Sequence, residues 1–167
     1  MTDPSPLEFT PGPETGRALR DALGRFATGV TVITCRGPDG PLGITVNSFA
    51  SVSLDPALVL WSVDRASSRA AAFVAADTFA IHILGREERD IAARFTRNGA
   101  SFDGLNWTSG PDGLPVLNGT LARFECARHA THDGGDHLIL IGAVRRAAFR
   151  NGAPLIFSQG HFGDFAF

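Results

Sequence analysis

The chain has 167 residues, a formal net charge of −2 and 44% hydrophobic side chains. That is enough apolar material for one domain with a buried core, and too much for a chain disordered throughout. The charge lacks the strongly basic balance that a nucleic-acid or membrane-surface partner would need, so neither is expected. All 15 cationic side chains are Arg and Tyr is absent, which removes Lys-based Schiff-base chemistry and any phenolic proton donor.

Residues 1–13 are Pro-rich, lack the basic-then-apolar order of a signal peptide, and are expected to be a flexible N-terminal tail. A single domain is expected over residues 14–167, with no internal repeat. A first helix is predicted from Glu14 to Phe26, with Leu19, Leu23 and Phe26 on one face. The β-branched run from Val30 to Cys35 predicts a strand, and Gly37-Pro38-Asp39-Gly40 a turn. Leu42 to Ser53 reads as one second strand, with Thr45, Asn47 and Phe49 on one face. Ala57 to Asp64 is apolar enough for a central third strand. Ser67-Ser68 ahead of Arg69–Val74 predicts a short helix with a hydroxyl N-cap. A strand over Phe79–Leu84 and a helix over Arg86–Phe95 follow, the helix having Glu87 and Glu88 early and Arg94 late, as its dipole prefers. A loop is predicted over Thr96–Leu117, then strands over Leu121–Ala130 and His137–Phe149 joined by a turn at Asp133–Asp136. Asn151-Gly152 marks a further hairpin, and Leu155–Ser158 a last strand. Six or more strands with short helices predict a mostly β fold built as a small closed or nearly closed barrel.

No apolar run reaches transmembrane length. Cys35 and Cys126 stand far apart within apolar runs, without metal spacing, and are expected to be buried free thiols of a cytoplasmic protein. Neither a dinucleotide-binding GxGxxG nor a P-loop is present. Phosphate would then fall to the hydroxyls and backbone N–H groups at Ser67-Ser68, with Arg94 adding charge. His129, His132 and His137 do not have helical metal-site spacing, and no metal site is expected. No G-x-S-x-G elbow supports a serine hydrolase. What stands out is Thr45-Val46-Asn47-Ser48, a strand-like stretch with polar residues on both faces that needs a polar ligand or water to receive it.

Several motifs fall in a shared order: Leu23–Thr34; Thr45–Ser48; Ser51-Val52-Ser53-Leu54-Asp55-Pro56; Ser67-Ser68; Ala92-Ala93-Arg94-Phe95; Gly135-Asp136-His137; Gly160-His161-Phe162. In that order they resemble the short-chain flavin reductases, which adopt the FMN-binding split β-barrel and supply reduced flavin to two-component monooxygenases. The likeness runs from Leu19 onward. It implies NAD(P)H-dependent reduction of FMN or FAD, a homodimer, and an oxygenase partner. It also implies roles. Thr45, Val46, Asn47 and Ser48 would bond the isoalloxazine edge and ribityl chain, with Ser51 in the adjoining segment. Ser62, Val63 and Asp64 would line the flavin, while Ser68, Arg94 and Phe95 would hold its phosphate side. His137, the catalytic candidate, would lie where the nicotinamide approaches, and Phe162 would stack nearby. The chain departs from the family pattern in having Asp55-Pro56-Ala57 where a second Pro is usual, and Phe162 where Tyr is common. Two alternatives remain at this stage: a flavin-binding carrier or storage protein without nicotinamide turnover, and a flavin-free split-barrel protein.

Overall fold

A computed structural model describes residues 5–165, so the first four residues of the expected tail and the last two of the domain lie outside the described residues. A 3₁₀ turn at Pro13–Thr15 leads into α1, Gly16–Leu23. The strands are β1 (Thr28–Gly29), β2 (Thr31–Gly37), β3 (Gly40–Val46), β4 (Ala50–Leu54) and β5 (Ala57–Asp64), followed by α2 (Ala70–Ala75) and β6 (Thr78–Ile83). After a 3₁₀ turn come α3 (Arg89–Arg97), β7 (Trp107–Ser109), β8 (Pro115–Leu117), β9 (Ala122–Gly134), β10 (His137–Phe149), β11 (Leu155–Ser158) and β12 (His161–Asp164).

The main sheet has seven strands in the order β3-β2-β6-β9-β10-β5-β4. Its edges are β3 and β4, neighbours in sequence with no ladder between them, so the barrel is split and not closed. The core lies inside the curl, where Ile33, Cys35, Trp61, Phe73, Phe79, Ile81 and Leu140 are buried. Trp61 meets Phe73 and Phe79 edge-on. A second core, with Val32, Leu84, Ala92, Phe95, Phe102 and Leu155, packs α3 and the following loop against the outside of the sheet. His82 of β6 sits fully buried between β2 and β8. Its Nδ1 lies 3.0 Å from Val32 O, and its Nε2 accepts from Leu117 N–H at 3.0 Å. That pairing fixes the neutral tautomer with hydrogen on Nδ1.

The expected strand over Leu42–Ser53 is two strands. Leu42, Ile44 and Val46 pack towards the barrel core while Thr45 points out. An unbroken strand would put Phe49 on Thr45's side. Instead the chain bends at Asn47-Ser48-Phe49, and Phe49 turns inward to stack on Phe124 at 5.8 Å. The bend is held by Ser48, whose Oγ accepts from Ser62 N–H at 2.9 Å and donates to Ser62 O at 3.1 Å. Strand β4 reaches only as far as the Ala50–Leu60 pair, so Ser48 supplies the partner that the β4 ladder does not.

Other elements shift for similar reasons. The first helix stops at Leu23, and Leu19, Leu23 and Phe26 are 36%, 66% and 78% exposed, so among the described residues its apolar face is left largely uncovered. α2 starts at Ala70 with Arg69 at the N-cap and no side-chain cap. Ser67 Oγ accepts only a longer bond, 3.3 Å, from Arg69 N–H. The expected loop over Thr96–Leu117 contains the β7–β8 hairpin, with Trp107 opposite Leu117. A last strand, β12, pairs with β11 through Gln159-Gly160, both at positive φ as a tight hairpin turn requires. Among the described residues, no helix is long and apolar enough to cross a membrane.

Candidate active site

A cavity of about 380 Å³ opens between the end of β3, α3 and the β11–β12 hairpin. Thr45, Val46 and Asn47 come from β3 and the bend, with Val30 beside them. Ala93, Thr96 and Arg97 come from one face of α3, and Phe157 and Phe162 from paired positions of the hairpin. The helical period explains the α3 contribution: Ala92 and Phe95 point to the core, leaving Ala93, Thr96 and Arg97 on the open side. α3 can sit this close because β3 has Gly43, where a Cβ would lie 2.5 Å from the Phe95 ring.

Each wall is fixed by bonds that do not use the cavity. Thr45 Oγ1 donates to Ala92 O at 2.7 Å, tying β3 to α3. Arg69 reaches over from the start of α2 and donates to Gly43 O at 3.1 Å, Phe95 O at 2.6 Å and Thr96 O at 3.1 Å. Phe162 meets Phe157 edge-on at 5.5 Å, and the Arg89 guanidinium lies 5.2 Å over the Phe162 ring. Asn47, by contrast, is exposed and makes no side-chain hydrogen bond among the described residues.

The cavity continues in two directions. Through Asn47 and Phe157 it meets a wider groove of about 590 Å³, bounded by Arg20, Arg25 and Phe26 near α1 and by Gln159 and Gly160 of the hairpin. Through Arg97 it meets a third space of about 390 Å³, lined by Ser68, Arg69 and the Asn98-Gly99-Ala100 segment.

The structure thus gathers Thr45, Val46, Asn47 and Phe162 around one cavity and sets Ser68 on the adjoining groove. The remaining candidates are placed elsewhere. Ser48 and Ser62 are bonded to each other at the bend. Ser51 is exposed on the edge strand β4, and Val63 is buried in the barrel core. Asp64 Oδ1 accepts from Ala66 N–H at 2.8 Å in the turn after β5. Arg94 Nη1 donates to Asp103 O at 2.6 Å, and Phe95 is fully buried against Phe102. His137 is not on the cavity wall. It opens β10 after the Gly135-Asp136 turn, with Nδ1 2.7 Å from Asp136 Oδ1. That bond and the His137 charge hold the exposed Asp136 carboxyl below its ordinary range, and Arg20 adds a smaller pull in the same direction.

Val30, Ala93, Thr96, Arg97 and Phe157 are wall residues that sequence reasoning did not single out. Val30 and Ala93 lay inside the motifs Leu23–Thr34 and Ala92–Phe95 without a role of their own, while Thr96 and Arg97 fell in the expected loop, because α3 runs on to Arg97. Among the described residues no three His, Cys, Asp or Glu side chains converge as for a metal. Burial pushes the thiols of Cys35 and Cys126 up to about 12, so both are inert at neutral pH.

The lining residues contain no carboxylate, His or Cys, so this wall offers no acid, base or nucleophile. It offers an apolar slot with two polar groups at its rim, Asn47 and Arg97, that have no partner among the described residues. A flat heteroaromatic with a polar, anionic tail fits that combination.

Comparison with known proteins agrees. The chain is 58% identical over 163 residues to an FMN reductase (NADH), SmoA, of Agrobacterium fabrum, covering 98% of this chain and 94% of that one. It is 38% identical over 148 residues to the reductase subunit HsaB of a flavin-dependent monooxygenase from Rhodococcus jostii, covering 87% and 76%. The fold superposes on the NADH:FAD oxidoreductase SgcE6 of Streptomyces globisporus with a TM-score of 0.88 at 37% identity, covering 96% and 98%. The flavin reductase like domain profile matches residues 23–166, and the chain belongs to that family.

Proposed function

We propose that this protein is an NAD(P)H-dependent flavin reductase that passes reduced FMN or FAD to a separate oxygenase. The observation that carries it is the cavity itself, apolar-walled and lined by no carboxylate, His or Cys. When bound, the flavin and the nicotinamide supply hydride acceptor and donor themselves. The chain has only to stack rings, exclude water and hold their tails. Val30, Val46, Ala93, Phe157 and Phe162 form the stacking surface. Thr45, Val46 and Asn47 are assigned to the flavin's polar edge, supported by the unpaired Asn47 amide at the rim. His137 is assigned to the nicotinamide side, supported by its half-exposed ring at the start of β10.

NADH as donor is supported by the names of SmoA and SgcE6, and an oxygenase partner by that of HsaB. Two buried thiols suit a cytoplasmic setting. A homodimer is supported by the outer face of β5 and β10. There Leu58, Leu60, Ile139 and Ile141 are only half-buried, on the side opposite the core residues Val59, Trp61 and Leu140. The unpacked face of α1 and the fully exposed Leu54 on edge strand β4 point the same way.

The decisive experiment mixes purified protein with NADH and FMN or FAD and follows nicotinamide oxidation. Turnover that requires both protein and flavin is expected. Tight flavin binding without nicotinamide oxidation would replace the reductase by a carrier. Sedimentation at low micromolar concentration is expected to give a dimer, and a lone monomer would refute that assignment.

A further inference from the structure

Strand β10 outruns one of its neighbours. β5 accompanies it only to the Leu58–Ala143 pair, whereas β9 follows it to Ala122–Phe149. Beyond Ala143, one edge of β10 faces no strand among the described residues, and residues 145–150 are all exposed. The backbone N–H and C=O groups along that edge are available to another chain. Arg145 stands at a bulge: Val144 pairs with Cys126 and Arg146 with Glu125, so no β9 residue lies opposite Arg145.

Positive charge gathers at the same place. Glu125, itself buried, is shared between Arg123 Nε at 3.2 Å and Arg146 Nε at 3.8 Å. Arg150 is paired with Glu87. Arg145 has no hydrogen bond or ion pair among the described residues. Phe149 is 86% exposed, beside a hollow of about 190 Å³ lined by Leu117, Thr120, Arg123, Ala148 and Arg150. Charges and bulges are also the means by which open edges are kept from pairing at all. An edge closed for that purpose has no reason to carry a bare Phe with a hollow next to it, so the charge here selects among partners. It selects against a second copy, which would bring its own Arg145, Arg146 and Arg150 to the seam.

We propose that the open edge Arg145–Phe149 docks an extended, acidic segment of another protein, which pairs with β10 as an added strand. Backbone bonds along the edge supply affinity, Arg145 and its neighbours set the charge preference, and one apolar side chain of the segment enters the hollow by Phe149. None of residues 145–150 lines the ring cavity or its two adjoining grooves, so the docked segment leaves them open.

The probe is a short, end-blocked peptide of alternating Glu and Val carrying a fluorophore. Its controls are the same peptide with Lys for Glu, and the Glu–Val peptide with every backbone amide N-methylated. Wild type is expected to bind the Glu–Val peptide more weakly at high salt, and neither control measurably. Amide exchange over residues 145–149 should slow in the complex. Arg145→Glu should raise the Kd by about tenfold or more and admit the Lys–Val peptide, while Arg145→Lys should keep most of the affinity. Phe149→Ser should weaken binding without changing the oligomeric state in sedimentation. No binding of the Glu–Val peptide, equal binding of all three peptides, or slowed exchange elsewhere and not at 145–149 would overturn the proposal. So would a fall in oligomeric state in Phe149→Ser, which would give the edge to a second copy of the chain. Should Phe149→Ser melt early, the Arg145 charge reversal makes the decision alone.

Discussion

Replacing Ser48 by Ala isolates what holds the split barrel together at its seam. The hydroxyl both accepts from Ser62 N–H at 2.9 Å and donates to Ser62 O at 3.1 Å. Removing it leaves two backbone groups of a half-buried residue without their partner, at a place the β4 ladder does not reach. At about 0.5–1.5 kcal/mol for each bond, the loss is about 2 kcal/mol. A domain of this size shifts its melting point by about 2–4 °C per kcal/mol, so Tm should fall by roughly 4–8 °C. Thermal melting of flavin-free Ser48→Ala, with Ser48→Thr as the variant that keeps a hydroxyl, measures it. If Ser48→Ala melts like wild type but binds flavin more weakly, the hydroxyl serves the ligand and not the seam, and the reasoning fails.

Asn47→Ala should behave in the opposite way, because its amide has no partner among the described residues. Flavin Kd should rise by roughly two- to tenfold with Tm unchanged, and equal affinities in a titration would remove Asn47 from the site. His137→Ala should raise the KM for NADH several-fold, leaving kcat and flavin affinity little altered, as steady-state kinetics at saturating flavin will tell. An early-melting variant that loses both ligands together would instead make His137 a support for its turn. Burial pushes His82 from its ordinary 6.5 down to about 4. The unfolded chain therefore takes up that proton at higher pH than the folded one, so stability falls as pH drops from 6.5 towards 4. The loss is roughly 3 kcal/mol for this group. Denaturant midpoints that stay flat across that range would show that His82 is not held neutral.

The strands written in β-branched runs were legible: β10 spans the predicted residues His137–Phe149, β5 the predicted Ala57–Asp64, and β2 covers most of Val30–Cys35. These segments are buried on at least one face, so their composition reports their environment. The break after Val46 was not legible, because Asn47-Ser48-Phe49 contains neither Gly nor Pro. What bends it is a bond to Ser62, and nothing local marks that partner. The periodicity of α1 was visible, but an apolar stripe does not state whether its partner lies in the same chain. At the site, the polar stretch Thr45–Asn47 and the ring of Phe162 showed through the motif order. Arg94 and Arg97 look alike in sequence, three residues apart on one helix. Only the packing of Phe95 on Gly43 decides which of the two faces the cavity and which turns to Asp103.

Arg69 also bears on how tightly a ligand can be held. One guanidinium pins β3 to the end of α3, so the distance between those walls is settled when the chain folds. Little ordering of that side is left for a flavin to bring about, and its affinity then reports ring contacts and charge directly, without a hidden penalty for closing the slot. A protein that hands its product to another enzyme gains from this arrangement. Release requires no wall to unfasten, and side chains at the rim can change while the scaffold beneath stays the same.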